Sequence, residues 1–326
     1  MVPCEGKWLT IKHYLRHLTN QDERVYNMLV DYLQISLENP KQKLPILLLI
    51  SYEKSSGKST FFDLLSAIFG DNVEPVTPQN FELDWNTQWC EKHFVFIDEM
   101  EKIKDKERIG SKIKNLVYFP TISKNKKGDD TISVQNNVRL VMTSNQESGF
   151  IEIDEEEDRW LILKVPPRTM FNPNYADDMR KEVPHFIHML RKRELSTKNT
   201  GRGWFNKEQL RTKALDAIVH NSKPQIEIDL DRFITEWFDT NKSKDECNFI
   251  LKDFHIRIEN SYKDKELKDA VHKLWGIINN DKYTAEDSFH QFEKKQKNWY
   301  TIQRDQVMTS DAMNRSIEDA FNTLSL

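Results

Sequence analysis

The spacing of apolar positions changes twice along this chain. From residue 8 to 39 they recur every three or four residues. Trp8, Ile11, Tyr14, Leu15 and Leu18 predict one amphipathic helix. Val25, Met28, Leu29, Tyr32 and Leu33 line one face of a second helix, from about Asp22 to Leu37. Asn39-Pro40 ends it, because the residue before a proline is pushed out of the helical region. From Leu44 the helical period is lost. Pro45-Ile46-Leu47-Leu48-Leu49-Ile50 is a continuous apolar run of strand length, as expected of a central parallel strand covered on both faces. A polar turn and an amphipathic helix from about Lys58 to Phe69 follow, stopped by Gly70. His93 to Ile97 and Val138 to Thr143 predict two further buried strands. All three strands end in polar residues, so functional groups sit at their carboxyl ends, where ligands bind in open α/β sheets. Between the last two, residues 121–134 alternate on either side of a lysine-rich tip with Gly128 and predict a β-hairpin. After Pro166-Pro167 the helical spacing returns. Residues from about 175 to 326 are charged, amphipathic and mostly helical, with a late strand near Asn298 to Gln303.

Composition narrows the class. At 326 residues, and about 150 per domain, the prior is two domains. A hydrophobic share of 38% is enough for a packed core. The longest strongly apolar run, Leu44 to Ile50, falls far short of a membrane span. Met1-Val-Pro-Cys-Glu-Gly-Lys carries no apolar signal core, which argues against secretion. Cys4, Cys90 and Cys247 lie too far apart for a disulfide framework, and His255, His272 and His290 lack metal spacing. A reducing, cytoplasmic location is expected, the host cytoplasm if the chain is viral. The net charge of -4 decides nothing about polyanions, because charge is locally segregated. Residues 112–127 hold five lysines and no acid, whereas six of the seven residues 152–158 are acidic.

Chemistry concentrates at the strand ends. Gly57-Lys58-Ser59-Thr60 lies between an apolar strand and a helix, the context of a phosphate-binding loop. Backbone amides from Ser56 to Thr60 would cradle phosphate oxygens, Lys58 would reach the β- and γ-phosphates, and Ser59 would ligate magnesium. Tyr52 stands where the usual pattern has its first glycine. Phe94-Val-Phe-Ile-Asp98-Glu99 is an apolar strand ending in two acids: Asp98 would hold hydrated magnesium and Glu99 would polarise water. Val138 to Asn145 repeats the layout, with Asn145 placed to orient that water and sense the γ-phosphate. Arg159, after the acidic run, is of a type that completes a neighbouring subunit's site, although a lone arginine beside acids is ordinarily a surface ion pair. Lys124, Lys126 and Lys127 at the hairpin are point charges suited to phosphates.

In this order the motifs resemble those of the superfamily 3 helicases, AAA+-related hexameric motors of small DNA viruses, phages, plasmids and other mobile elements. The resemblance runs from about Trp8 to Pro166, and the leading segment looks like that of phage and mobile-element primase-helicases. It implies a P-loop AAA+-like ATPase core with a parallel sheet over residues 43–170, an N-terminal helical collar over 1–42 and a mostly helical C-terminal domain over 171–326. A winged helix is one form of that last domain, and a packing domain without a ligand is the other. The resemblance implies ATP and magnesium as cofactors and single-stranded DNA as partner. It assigns Lys58 and Ser59 to nucleotide and metal, Asp98 and Glu99 to metal and catalysis, Asn145 to sensing, Arg159 to the adjacent subunit, and Lys126 and Lys127 to the DNA backbone inside a ring. Trp160 stands where a second arginine often follows. The abrupt start leads to the expectation that the chain is the C-terminal part of a longer primase-helicase, with a primase or polymerase domain or other replication proteins as partners. Competing readings are a nucleotide-binding assembly or loading platform, favoured by Tyr52, an origin initiator without unwinding activity, and a small-molecule kinase, for which no lid or acceptor site is evident.

Overall fold

The structure is a computed structural model that describes residues 2–53, 55–126, 130–146, 153, 158–168, 174–221, 224–257, 262–279, 285–286, 289, 293–294 and 298–307. The chain forms two compact units, Met1–Ser222 and Lys223–Leu326.

The first unit is built on a five-stranded parallel sheet. Its strands are β1 (Ile46–Ile50), β2 (Val73–Val76), β3 (Phe94–Ile97), β6 (Arg139–Ser144) and β7 (Trp160–Lys164), in the order β2-β3-β6-β1-β7. Strands β4 (Thr121–Lys124) and β5 (Ile132–Gln135) pair separately as an antiparallel hairpin. The helices are α1 (Leu9–Leu18), α2 (Glu23–Glu38), α3 (Thr60–Phe69), α4 (Pro78–Glu82), α5 (Lys106–Tyr118), α6 (Tyr175–Lys192), α7 (Lys207–Leu210) and α8 (Lys213–Asn221).

Successive strand residues point to opposite faces, and both faces are covered. Leu47, Leu49, Phe94, Phe96, Val141, Leu161 and Leu163 meet the apolar faces of α1, α2, α3 and α6. Ile46, Leu48, Ile50, Val95, Ile97, Leu140, Met142 and Ile162 meet Ile109, Ile113 and Leu116 of α5 and Leu215 and Ile218 of α8. Each such side chain contributes about 1.5–3 kcal/mol by burial, and this two-sided demand is why β1 reads as unbroken apolar sequence.

Two boundaries differ from expectation. The helices of residues 1–42 are not a separate collar, because Ile11, Leu15, Leu29 and Leu33 share one apolar cluster with the sheet. Helix α6, placed beyond the 170 boundary by sequence, buries Met179, Val183, Phe186 and Leu190 in that same cluster, so the first unit runs to Ser222. Periodicity reveals an apolar face but not the surface that it covers. Among the described residues no helix is long and apolar enough to cross a membrane, and no disulfide joins the cysteines.

A buried basic cluster ties α2 to the amino end of the central strand β6. Arg139, only 3% exposed, donates to the carbonyls of Asn39, Pro40 and Gln42, where α2 ends and turns toward β1. His93 lies against this guanidinium and against the Ser36 carbonyl.

The second unit comprises α9 (Gln225–Thr240), β8 (Glu246–Phe249), α10 (Leu251–Arg257), α11 (Asp264–Trp275), β9 (Ala285–Glu286), β10 (Glu293–Lys294) and β11 (Tyr300–Gln303). Strands β8 and β11 pair antiparallel, as do β9 and β10. Leu230, Trp237, Phe238, Phe249, Phe254, Leu267, Val271, Trp275 and Tyr300 form its core. The late strand near Asn298 to Gln303 is β11.

Burial, and then the Arg139 charge, lower the His93 pKa from 6.5 to about 4. The unfolded chain therefore takes up this proton near pH 6.5 and the folded chain only near pH 4. The stability linked to neutral His93 is fully present above pH 6.5 and is lost as pH falls toward about 4. Urea unfolding of wild type and His93→Gln across that range checks this: the wild-type stability should fall more steeply on acidification, and parallel curves would contradict it.

Candidate functional site

Because β1, β3 and β6 are adjacent and parallel, their carboxyl ends open on one rim. The register sets the details. Ile97 lies opposite Met142, so the next residues, Asp98 and Thr143, stand side by side. Ile50 lies opposite Ser144, which brings the loop after β1 to the same rim.

Three of the motifs meet there through hydrogen bonds. Ser59 Oγ donates to Asp98 Oδ2 at 3.2 Å. The Thr143 hydroxyl donates to the other Asp98 oxygen and accepts from the Glu99 amide at 3.1 Å. Thr143 is fully buried, so this contact fixes the Asp98 carboxylate from beneath while its Ser59 side stays open to solvent. Magnesium typically takes one or two carboxylates and fills its shell with water and substrate phosphates. Asp98 and Ser59 are a donor pair of that kind. No group of three or more His, Cys, Asp or Glu that could form a fuller metal cage exists among the described residues.

The loop after β1 is held in an uncommon backbone. Ser55 has φ +61° and Gly57 φ +101°, both in the left-handed range. Helix α3 starts at Thr60, with the Thr60, Phe61 and Phe62 amides turned back onto the carbonyls of Gly57, Lys58 and Ser59. Lys58 is 6% exposed and folds inward, donating to the Ser51 carbonyl at 3.1 Å, the Glu53 carbonyl at 3.4 Å and Ser56 Oγ at 3.3 Å. Burial lowers its pKa, and the Asp98 and Glu101 carboxylates partly oppose that shift. The ammonium thus sits in a ring of neutral oxygens that an anion can replace. Tyr52 is 67% exposed at the start of the loop.

Glu99 adopts a left-handed backbone, φ 59° and ψ 58°, and pairs with Lys102. Sparsely populated backbone of this kind persists where the surroundings over-determine it, here through the Thr143 bond to the Glu99 amide. Asn145 reaches the rim and is engaged by Glu101, with its side-chain amide 2.8 Å from one carboxylate oxygen and its backbone amide 3.2 Å from the other.

Arg159 stands apart. It immediately precedes β7, and its carbonyl accepts from the Ile46 amide at the amino end of β1. The length of a five-residue strand, about 16 Å at 3.3 Å per residue, separates that end from the rim of its own chain. The β4–β5 hairpin also springs from the amino-end side, since Asn136 ties its base to the Leu116 and Phe119 carbonyls just before β6. Lys124 pairs with Glu91, Lys126 is exposed, and Lys127 lies outside the described residues.

Several contributors escaped sequence reasoning. Thr143 stands in the segment that ends in Asn145, but its bond to Asp98 was not legible there, and Glu101 was not singled out. Tyr14 of α1 read as a helix-face residue and His17 was not singled out, yet both bond the loop. Trp85 is 47% exposed beside the hairpin. Its neighbours are stitched to that hairpin: Asn86 Nδ2 donates to the Ser123 carbonyl, the Asn125 amide donates to Asn86 Oδ1, and Asn125 Nδ2 donates to the Asp84 carbonyl. A tryptophan flanked by polar residues, Asp84-Trp-Asn-Thr, was the available signal.

Over residues 49–159, from the end of β1 to Arg159, the chain matches a family of unknown function (DUF5906). No curated protein matches it. Among solved structures it is similar to the NrS-1 C terminal region. The apo structure of that region (305-718) matches with TM-score 0.61 and 16% identity, covering 86% of this chain and 65% of the other. The A form apo structure matches with TM-score 0.59 and 17% identity, covering 86% and 66%. The chain spans just under two thirds of the length of the chains it matches. At this identity the likeness shows a shared fold.

Thr143→Val should lower unfolding stability by about 1–3 kcal/mol, because it leaves a buried amide and a carboxylate oxygen without their partner. Thr143→Ser, which keeps the hydroxyl, should lose less. Denaturant unfolding of the two variants measures the difference, and a Thr143→Val protein at least as stable as Thr143→Ser would contradict the role given to the hydroxyl.

Proposed function

We propose that this chain is a magnesium- and ATP-dependent single-stranded DNA translocase and helicase, working as a ring in the replication of a phage or mobile element. The observation that carries the reading is the Ser59–Asp98–Thr143 connection, which joins the ends of the loop strand, the acidic strand and the sensor strand around Lys58. The motif order along the chain supports it, and so does the fold shared with the NrS-1 C terminal region.

Each residue then has a defined task. Lys58 exchanges its loop carbonyls for the β- and γ-phosphate oxygens of ATP. Amides of Gly57 to Ser59 add donors at the start of α3. Ser59 and Asp98 hold magnesium, which supplies charge neutralisation on the phosphates. Glu99 accepts a proton from the attacking water, and its carboxylate pairs with Lys102. Asn145, oriented by Glu101, positions that water. Arg159 lies at the far end of the sheet from its own Lys58, so it serves a neighbouring subunit's site, which makes a ring the functional unit. Lys126 of each hairpin contacts the DNA backbone, and Trp85 offers an aromatic face for a base. Lys124 is partnered by Glu91 and contributes less.

Steady-state ATP hydrolysis with and without single-stranded DNA tests the reading. DNA should raise turnover. Lys58→Ala should abolish it, and Arg159→Ala should reduce it about 10³-fold or more. Mixing those two variants should restore a part of the activity, because a mixed interface can pair an intact Lys58 with an intact Arg159. No recovery would place Arg159 outside the site, and a Lys58→Ala protein with wild-type turnover would remove the site itself. Single-stranded DNA binding should weaken with salt, and Lys126→Ala should reduce the slope of log K against log salt by about 0.7 for each phosphate that is no longer neutralised. An unchanged slope would take the hairpin out of the DNA path.

A further inference from the structure

The loop between β1 and α3 is gripped from behind by α1. Tyr14 Oη donates to the Gly57 carbonyl at 2.7 Å. One turn further along, the His17 Nε2–H donates to the Ser56 carbonyl at 2.8 Å. Residues three apart share a helix face, so α1 presents both donors to consecutive loop carbonyls. Tyr14 is 1% exposed, and burial holds its phenol well above the ordinary pKa, so it remains a donor.

Peptide geometry gives these hydrogen bonds a consequence. In a trans peptide unit the carbonyl and the following amide point in opposite directions. Anchoring the Ser56 and Gly57 carbonyls on α1 turns the Gly57 and Lys58 amides away from α1. These are two of the amides that the nucleotide-site reading assigns to phosphate. Gly57, at φ +101°, could take up many other orientations.

The brace is itself fixed. Glu182 of α6 accepts from the Thr10 amide, the Thr10 hydroxyl and the Ile11 amide at the first turn of α1. Tyr175 donates to the Thr10 carbonyl at 3.3 Å, and its ring meets that of Tyr14 edge-on with centroids 6.1 Å apart.

We infer that Tyr14 and His17 are positioning residues of the phosphate loop, and that α1 is a built-in part of the nucleotide site because it aims the Gly57 and Lys58 amides at the phosphates. The inference rests on the nucleotide-site reading above and adds to it residues that lie outside the motifs.

Equilibrium titration of the full chain with ATP and magnesium tests it, on wild type, Tyr14→Phe, His17→Ala and His17→Gln, with the thermal midpoint of each as control. Tyr14→Phe removes one oxygen and keeps the ring packing. His17→Gln keeps an N–H donor of comparable reach. Tyr14→Phe and His17→Ala should each weaken ATP binding by about 3- to 10-fold, with thermal midpoints close to wild type. His17→Gln should recover most of the loss. In turnover, KM should rise by a similar factor while kcat changes much less. If wild type binds ATP and Tyr14→Phe and His17→Ala bind within two-fold of it, the brace is overturned and the nucleotide site stands. If His17→Gln is as weak as His17→Ala, the hydrogen-bond assignment at Ser56 is overturned. If wild type binds no ATP, the site reading falls and the brace falls with it.

Discussion

The parallel pairing of β1 with β6 on one side and β7 on the other is the constraint on which the rest of the first unit depends. Five consecutive residues, Ile46 to Ile50, are buried on both faces, and their register decides which side chains reach the carboxyl rim. A slip of one residue would turn every side chain of β1 to the opposite face. It would also move the following loop relative to Thr143 and Asp98. Burial of both faces makes that slip costly, and the rim inherits its accuracy from the core.

At the rim the polar groups are satisfied by one another rather than by chance. Thr143 holds one oxygen of Asp98 and the amide of Glu99. Glu101 holds Asn145, Lys102 faces Glu99, and loop oxygens surround Lys58. Asp98, Glu99 and Asn145, held this way, need little reorganisation when charge develops on a substrate, whereas Lys58 must release its loop oxygens; preorganisation of this kind is the main source of electrostatic catalysis. The hydrogen bonds from α1 extend the same principle behind the loop, where Tyr14 and His17 hold carbonyls so that amides face the other way. The first helix is therefore both a core element and a support for the site.

Much of this was legible in the sequence because it depends on local pattern. The apolar runs at 46–50, 94–97 and 138–143 gave the three central strands, and their polar ends gave Lys58, Ser59, Asp98 and Asn145 as rim residues. What was not legible depends on contacts between distant segments. The first two helices read as a collar, since periodicity cannot show that their apolar face covers the sheet. Helix α6 read as part of a later domain for the same reason. Tyr14 and His17 come some 40 residues before the loop they hold. Thr143 belongs to the motif that ends in Asn145, but only the register with β3 places its hydroxyl under Asp98. Lys124 read as a free charge, and its partner Glu91 comes from a separate loop.

The central claim is that this rim converts ATP hydrolysis into movement along a DNA strand. Displacement of a labelled strand from a forked DNA duplex tests it most directly, with wild type and Glu99→Gln compared in ATP and magnesium. Wild type should displace the strand only with magnesium present, and Glu99→Gln should displace none although it still binds ATP. ATP turnover by wild type with no strand displaced on forks of either polarity would contradict it.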